Sequence, residues 1–275
     1  EGERTINAIL ENYPSLDWRK IPGLSYLSGE EMINNPNLPR LRNFEGCPSP
    51  YTSGVFNKLM EENPDEKWIV SWETNRGCPF SCTYCDWGSA INSRVARFEI
   101  ERLYKELDWF AKNKVEFIYV CDANFGMLPR DYDIVEYAGK LKQTIGYPHI
   151  LSVQSTKNAR ERSYKVQKAL FKYGLTKGIN IALQSTDAHT LKAIKRDNIS
   201  ITDYQILQKR FAADGIPTYS DFIIGLPGDN YEKFANGVSD LIISGQHNRI
   251  QYANLSILPN AEMAQQEYIK KYELE

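Results

Sequence analysis

The sequence predicts an α/β protein, a partial (β/α)6 TIM-type barrel over residues 68–261. Three observations carry that expectation. Six short runs rich in β-branched and aromatic residues recur along the chain, longer stretches with helical periodicity separate them, and polar residues or glycines follow the ends of the runs, where such barrels place their chemistry.

In chain order, residues 1–67 read as a lead-in segment. Pro14, Pro22, Pro36, Pro39, Pro48 and Pro50 interrupt any long helix. One short helix is expected near Thr5–Asn12, and "GLSYLSGEEMIN" suits a small hairpin. The expected strands are "WIVSWET" at 68–74, "VEFIYVC" at 115–121, "HILSVQS" at 149–155, "GINIALQ" at 178–184, "PTYSDFIIG" at 217–225 and "RIQYANLSI" at 249–257. Between the first two, Ile100, Leu103, Leu107 and Phe110 recur at three- and four-residue spacing, the apolar stripe of a helix packed outside the barrel. Six such units leave a barrel open on one side, where eight would close it. Residues 262–275 read as the start of a C-terminal extension.

Composition narrows the functional classes. With 33 Lys and Arg against 35 Asp and Glu, the formal charge is -2, and no basic tract asks for nucleic acid. No apolar run approaches the roughly 20 residues of a membrane span. Five cysteines, three of them within eight residues, suit a metal better than disulfides. A soluble protein of a reducing compartment, the cytoplasm, is expected.

The strongest signal is "GCPFSCTYC", which places Cys78, Cys82 and Cys85 in one loop after the first strand. Three soft thiolates can wrap an iron-sulfur cubane and leave one iron with an open position, as open catalytic metal sites do. The alternative is a structural zinc, whose fourth ligand would come from Cys47, Cys121, or one of His149, His189 and His247.

Cys-x3-Cys-x2-Cys after the first strand of a partial barrel, with the aromatic Tyr84 before the last cysteine, resembles the defining motif of the radical S-adenosylmethionine superfamily. The resemblance implies a [4Fe-4S] cluster on Cys78, Cys82 and Cys85, with S-adenosylmethionine bound through its amino and carboxylate groups at the open iron. Reductive cleavage of that cofactor gives a 5'-deoxyadenosyl radical, which takes a hydrogen atom from the substrate. Tyr84 would lie near the adenine. In "CDANFG", Asp122 and Asn124 resemble the Asp-x-Asn-Phe variant of the cobalamin-associated branch and would contact the cofactor's amino-acid moiety; a helix cap or turn is the alternative. Gln154, Ser155, Gln184 and Ser185 stand at the ends of the third and fourth strands, where buried polar groups need partners such as a cofactor. In "IIGLPGDN", Gly225 and Gly228 resemble the family's adenine-contacting glycine motif.

Other residues carry blander expectations. Asp187 reads as a helix cap, and Arg94, Arg97 and Lys195 as solvated charges. Cys121 at the barrel mouth is either a catalytic thiol or a small apolar filler. Cys47 is assigned no role, and Trp87 either shapes the pocket or packs.

The lead-in carries a second resemblance. "EGE", a helix and "IPGLSYLSGEEMINNPNLPRL" are similar to the segment joining a cobalamin-binding domain to the barrel in cobalamin-dependent members, which places that domain upstream of Glu1. This implies methylation of an unactivated carbon, or phosphorus, in a small molecule or peptide, with cobalamin as methyl carrier and an electron donor such as flavodoxin or ferredoxin. Two alternatives stay open: radical oxidation or cyclisation without methyl transfer, and a non-catalytic module stapled by metal.

Overall fold

The computed structural model describes the chain apart from residues 1, 14, 16, 40, 42, 45, 88–93, 157–159 and 275. Two compact units divide it, Glu1–Phe44 and Glu45–Glu275. In the first, helix α1 (Glu3–Asn12) is followed by the antiparallel pair β1 (Ser25–Ser28) and β2 (Glu31–Asn34). Gly29, at φ +66°, opens their two-residue loop with the positive φ that tight hairpin turns demand. The Asn35 amide donates to the carbonyls of Trp18 and Ile21, tying the hairpin to the turn before it.

The boundary at 44 differs from the expected lead-in to residue 67. Residues 46–67 fold with the barrel because their aromatics have partners there. The Tyr51 ring meets Phe110 edge-on at 4.6 Å and Trp109 at 5.6 Å, and its hydroxyl donates to the Ser71 carbonyl. A helix not expected from sequence, α2 (Asn57–Glu62), lies in this stretch.

The six expected barrel strands are present but shorter: β3 (Ile69–Trp72), β6 (Phe117–Val120), β7 (Ile150–Ser152), β8 (Ile179–Asn180), β9 (Thr218–Ile224) and β10 (Ile250–Asn254). All pair in parallel, in two three-stranded sheets, β3-β6-β7 and β8-β9-β10. No ladder joins the halves among the described residues; at the seam, Leu151 N–H donates to Leu175 O at 3.0 Å. A further antiparallel pair, β4 (Asn75–Arg76) with β5 (Ala96–Arg97), brackets the cysteine segment and was not expected.

Helices α3 (Ile100–Lys112), α4 (Asp131–Ile145), α5 (Arg160–Lys172), α6 (Ala188–Ala193), α7 (Ile201–Ala213) and α8 (Tyr231–Ile243) lie between the strands in sequence, α6 and α7 both between β8 and β9. On α3, Leu103, Leu107 and Phe110 are wholly buried, as the stripe requires, while Ile100 is half-buried. Phe110 meets the buried Trp72 edge-on, and Trp72 Nε1 donates to Glu106 Oε2 at 2.7 Å, which satisfies a polar group inside the helix–sheet layer.

The C-terminal residues belong to the same unit. A 3-10 turn (Glu262–Ala264) and helix α9 (Gln266–Tyr272) reach the cysteine loop, where Met263 N–H donates to Thr83 O at 2.9 Å and the Tyr268 and Thr83 hydroxyls lie 3.1 Å apart.

Candidate cofactor-binding cavity

The site is built on the ends of the first two barrel strands. Asp122, just beyond β6, is wholly buried, and its carboxylate accepts four hydrogen bonds from the turn after β3. Thr74 N–H (2.8 Å) and Asn75 N–H (3.1 Å) donate to Oδ1; the Thr74 hydroxyl and Asn75 Nδ2 donate to Oδ2. Burial pushes its pKa up to about 7 against those four donors. Asp122, expected to contact the cofactor, lines the cavity and also clamps the strand end from which the cysteine loop departs. Arg130 reinforces the clamp from behind, donating to the carbonyls of Phe98 and Thr74.

The loop so held presents Cys78, Cys82 and Cys85 outside any disulfide, the first two buried and the third half-buried. Thr83, between Cys82 and Cys85, is pinned on both backbone atoms: its N–H donates to Ile194 O at 3.0 Å and its carbonyl accepts from Met263. Cys78 and Cys85 line a cavity of about 530 Å³ with Tyr84, Asn124, Gln154 and Gln184. Asn124, 2% exposed, donates Nδ2–H to Cys78 Sγ at 3.2 Å, while its Oδ1 is buried with no hydrogen-bond partner. An amide on a ligand sulfur tunes thiolate basicity, and the orphan acceptor beside it fits a donor on a bound ligand. These features fit a cubane with an open iron and S-adenosylmethionine beside it. Among the described residues, no three His, Cys, Asp or Glu side chains converge as one metal ion would require. A cubane, by contrast, spreads its thiolates over separate irons.

Tyr84 packs beside Ile194, Leu226, Met263 and Tyr268, and its hydroxyl accepts from Arg196 Nη1 at 2.8 Å. Burial raises the pKa of that hydroxyl, so it stays protonated. Arg196 was missed in the sequence. It is 4% exposed and also donates to Ala182 O, Leu183 O and Asn198 Oδ1. It is the cavity's buried cation, fixing the backbone beyond β8 to the tyrosine of the cysteine loop. Its position among the charges of "AIKRDN" gave no sign of that burial.

Gln184 holds φ +68° and bridges to Phe222 of β9, a strained backbone in the cavity wall. Gln154 lines the wall with Nε2 3.4 Å from the Tyr119 hydroxyl. Ser155 Oγ accepts from Gln167. Ser185 does not reach the cavity: its Oγ accepts from Asp187 N–H at 3.2 Å and caps the next turn. Gly225 also lies outside the lining; its φ of +85° explains the glycine. Gly228 is demanded by contact as well, since a Cβ there would sit 2.6 Å from the His189 ring.

Asp187 caps α6 through Thr190 N–H, as expected, and Arg94, Arg97 and Lys195 are exposed, Lys195 in a surface pair with Glu262. Cys121 and Trp87 line the cavity; burial pushes the Cys121 thiol up, away from the thiolate a nucleophile needs. Cys47 contributes only its carbonyl, to Arg102. The cavity also contains Asn180 and Asp221, which the sequence reading passed over. Asp221 was findable, because a charge within the alternating run "PTYSDFIIG" must face a polar interior.

Three comparisons bear on this site. A family model described as the Radical SAM superfamily matches residues 72–241. A cobalamin-dependent radical SAM methyltransferase, TokK of Streptomyces tokunonensis, and a 2-(S-pantetheinyl)-carbapenam-3-carboxylate methyltransferase of Streptantibioticus cattleyicolor are each 38% identical over 100% of this chain. The chain spans 41% of the length of either relative. Among solved structures, a radical S-adenosylmethionine methyltransferase, TsrM of Kitasatospora setae, superposes with a TM-score of 0.68 over 99% of this chain and 53% of its own, at 14% identity, a likeness of fold.

Proposed function

Because this chain belongs to the radical SAM superfamily, we propose that it holds a [4Fe-4S] cluster on Cys78, Cys82 and Cys85, binds S-adenosylmethionine in the adjoining cavity, and serves cobalamin-dependent methylation of an unactivated carbon or phosphorus. The observation that carries the reading is the wall of that cavity, where Cys78 and Cys85 stand beside an asparagine that donates to the Cys78 sulfur and keeps a second polar atom unpartnered among the described residues. Methyl transfer and cobalamin come from the two relatives at 38% identity. No side chain of the cavity is assigned to cobalamin.

When bound, the cluster with S-adenosylmethionine supplies a 5'-deoxyadenosyl radical that takes a hydrogen atom from the substrate, and cobalamin supplies the methyl group. The chain's own share is positional. Asn124 holds the Cys78 sulfur and offers Oδ1 to a donor on the cofactor. Tyr84, fixed by Arg196, presents a flat face suited to adenine. Gln154 and Gln184 offer further polar contacts. The barrel wall shields the reacting carbon from water.

The substrate is a small molecule or peptide, and the electron comes from a flavodoxin or ferredoxin. No described helix is long and apolar enough to cross a membrane, and five cysteines without a disulfide among them suit the reducing cytoplasm. The test is anaerobic turnover of the reconstituted protein with methyl-deuterated S-adenosylmethionine and cobalamin. A product heavier by one labelled methyl group supports the reading; a dehydrogenated or cyclised product without label favours radical chemistry of another kind.

A further inference from the structure

The strand β9 alternates strictly. Thr218, Ser220 and Phe222 face α7 and α8: the Thr218 hydroxyl donates to Gln208, Ser220 meets the Tyr204 hydroxyl at 2.8 Å, and Phe222 packs edge-on against Phe234. Asp221 must then point the other way, into the barrel. Asn180 of β8 pairs in register with Tyr219, and its Nδ2 donates to Asp221 Oδ2. Both residues line the cavity that Cys78, Cys85 and Asn124 also line.

The other oxygen of each, Asn180 Oδ1 and Asp221 Oδ1, is buried without a hydrogen-bond partner. Leaving a buried acceptor unpaired is unfavourable, and more so for a charged one. Nor, among the described residues, does a cation neutralise the carboxylate. Among the described residues Asp221 has no ion pair; the Arg249 guanidinium sits 5.0 Å from the Tyr219 ring, and Arg196 donates to Tyr84 and to the carbonyls of Ala182 and Leu183. Two adjacent acceptors, one of them a carboxylate oxygen, share the cavity lining with apolar residues such as Ile181 and Leu183.

We propose that Asn180 and Asp221 form the point at which the barrel holds its substrate, through a cationic N–H donor such as a primary amine or guanidinium joined to an aliphatic arm. This deepens the radical methyltransferase reading and rests on it for the word substrate. Both are positioning residues, which anchor the molecule in the cavity that Cys78 and Cys85 also line.

The test uses n-butylammonium, butyramide and butyrate as probes, with saturation-transfer NMR on the reconstituted protein, with and without S-adenosylhomocysteine. Butylammonium should bind in both conditions, butyramide more weakly and butyrate not at all. Loss of one charge-assisted hydrogen bond predicts a drop of about tenfold in butylammonium affinity for Asp221→Asn. Asn180→Ala, which keeps the charge, should lose less and confirms that a folded variant still binds. An unchanged affinity in Asp221→Asn, or binding of butyrate as good as that of butylammonium, overturns the proposal. Displacement of butylammonium by S-adenosylhomocysteine also overturns it, assigning the pair to the cofactor instead. Failure of the radical reading is seen separately, as no 5'-deoxyadenosine from the unmutated protein, because the binding measurement needs no turnover.

Discussion

Asp122 and Asp221 stand on the two halves of one barrel and have opposite surroundings. The first receives four hydrogen bonds from Thr74 and Asn75 and is wholly buried. The second receives one from Asn180 and keeps an oxygen buried and unpaired at the cavity. The difference separates two uses of a buried carboxylate. A satisfied one fixes geometry, here the strand end that launches the cysteine loop, and an unsatisfied one waits for a ligand.

The contrast breaks first at Asp122. Asp122→Ala strands four donors, and at about 1–3 kcal/mol for each buried group left unpaired the loss should exceed 2 kcal/mol, read as a lowered midpoint of thermal or urea unfolding. Its pH dependence has a definite sign. With a folded pKa near 7 against an ordinary 3.8, the folded state binds the extra proton between those values. The stability contributed by this group therefore falls as pH rises from 3.8 to about 7 and is flat above. Asp122→Asn should abolish that slope, measured by urea unfolding across the window; an unchanged slope would assign it to other carboxyls.

Asn124 sharpens the comparison from the ligand side, since it both supports Cys78 and keeps a free acceptor. Asn124→Leu should fold with near-normal stability but lose about 10- to 100-fold in 5'-deoxyadenosine formation, as loss of an outer-shell partner does at metal sites. Arg196→Met comes next: an increase of about tenfold in KM for S-adenosylmethionine is expected where an outer-shell contact positions a ligand, with cluster iron content unchanged. Tyr84→Phe removes a single buried hydrogen bond, about 1 kcal/mol, and should leave the cluster's visible absorption intact.

The sequence made the clamp's location legible but not its wiring. Six strands, the α3 stripe and the cysteine loop follow from periodicity and spacing, which are local signals. Which partner a polar residue takes is a long-range outcome. Asp122 turned to Thr74, 48 residues away, while still lining the cavity, and Ser185 turned to the turn it begins. Tyr84, Asn124, Gln154 and Gln184 did reach the cavity, because each sits just past a strand end or within the cysteine loop. Arg196 was invisible for the opposite reason: its burial depends on the backbone beyond β8 folding over it. The lead-in was overextended to residue 67 because prolines forbid long helices but say nothing of Tyr51 packing on Trp109 and Phe110.

The central claim is that the three-cysteine loop carries a redox-active cluster beside S-adenosylmethionine. It is tested most directly by anaerobic reconstitution with iron and sulfide, reduction by dithionite in the presence of S-adenosylmethionine, and chromatography for 5'-deoxyadenosine. The account expects the nucleoside from the unmutated protein and none from Cys82→Ala. Equal amounts from both, or a protein that binds only zinc and shows no iron-sulfur absorption, would contradict it.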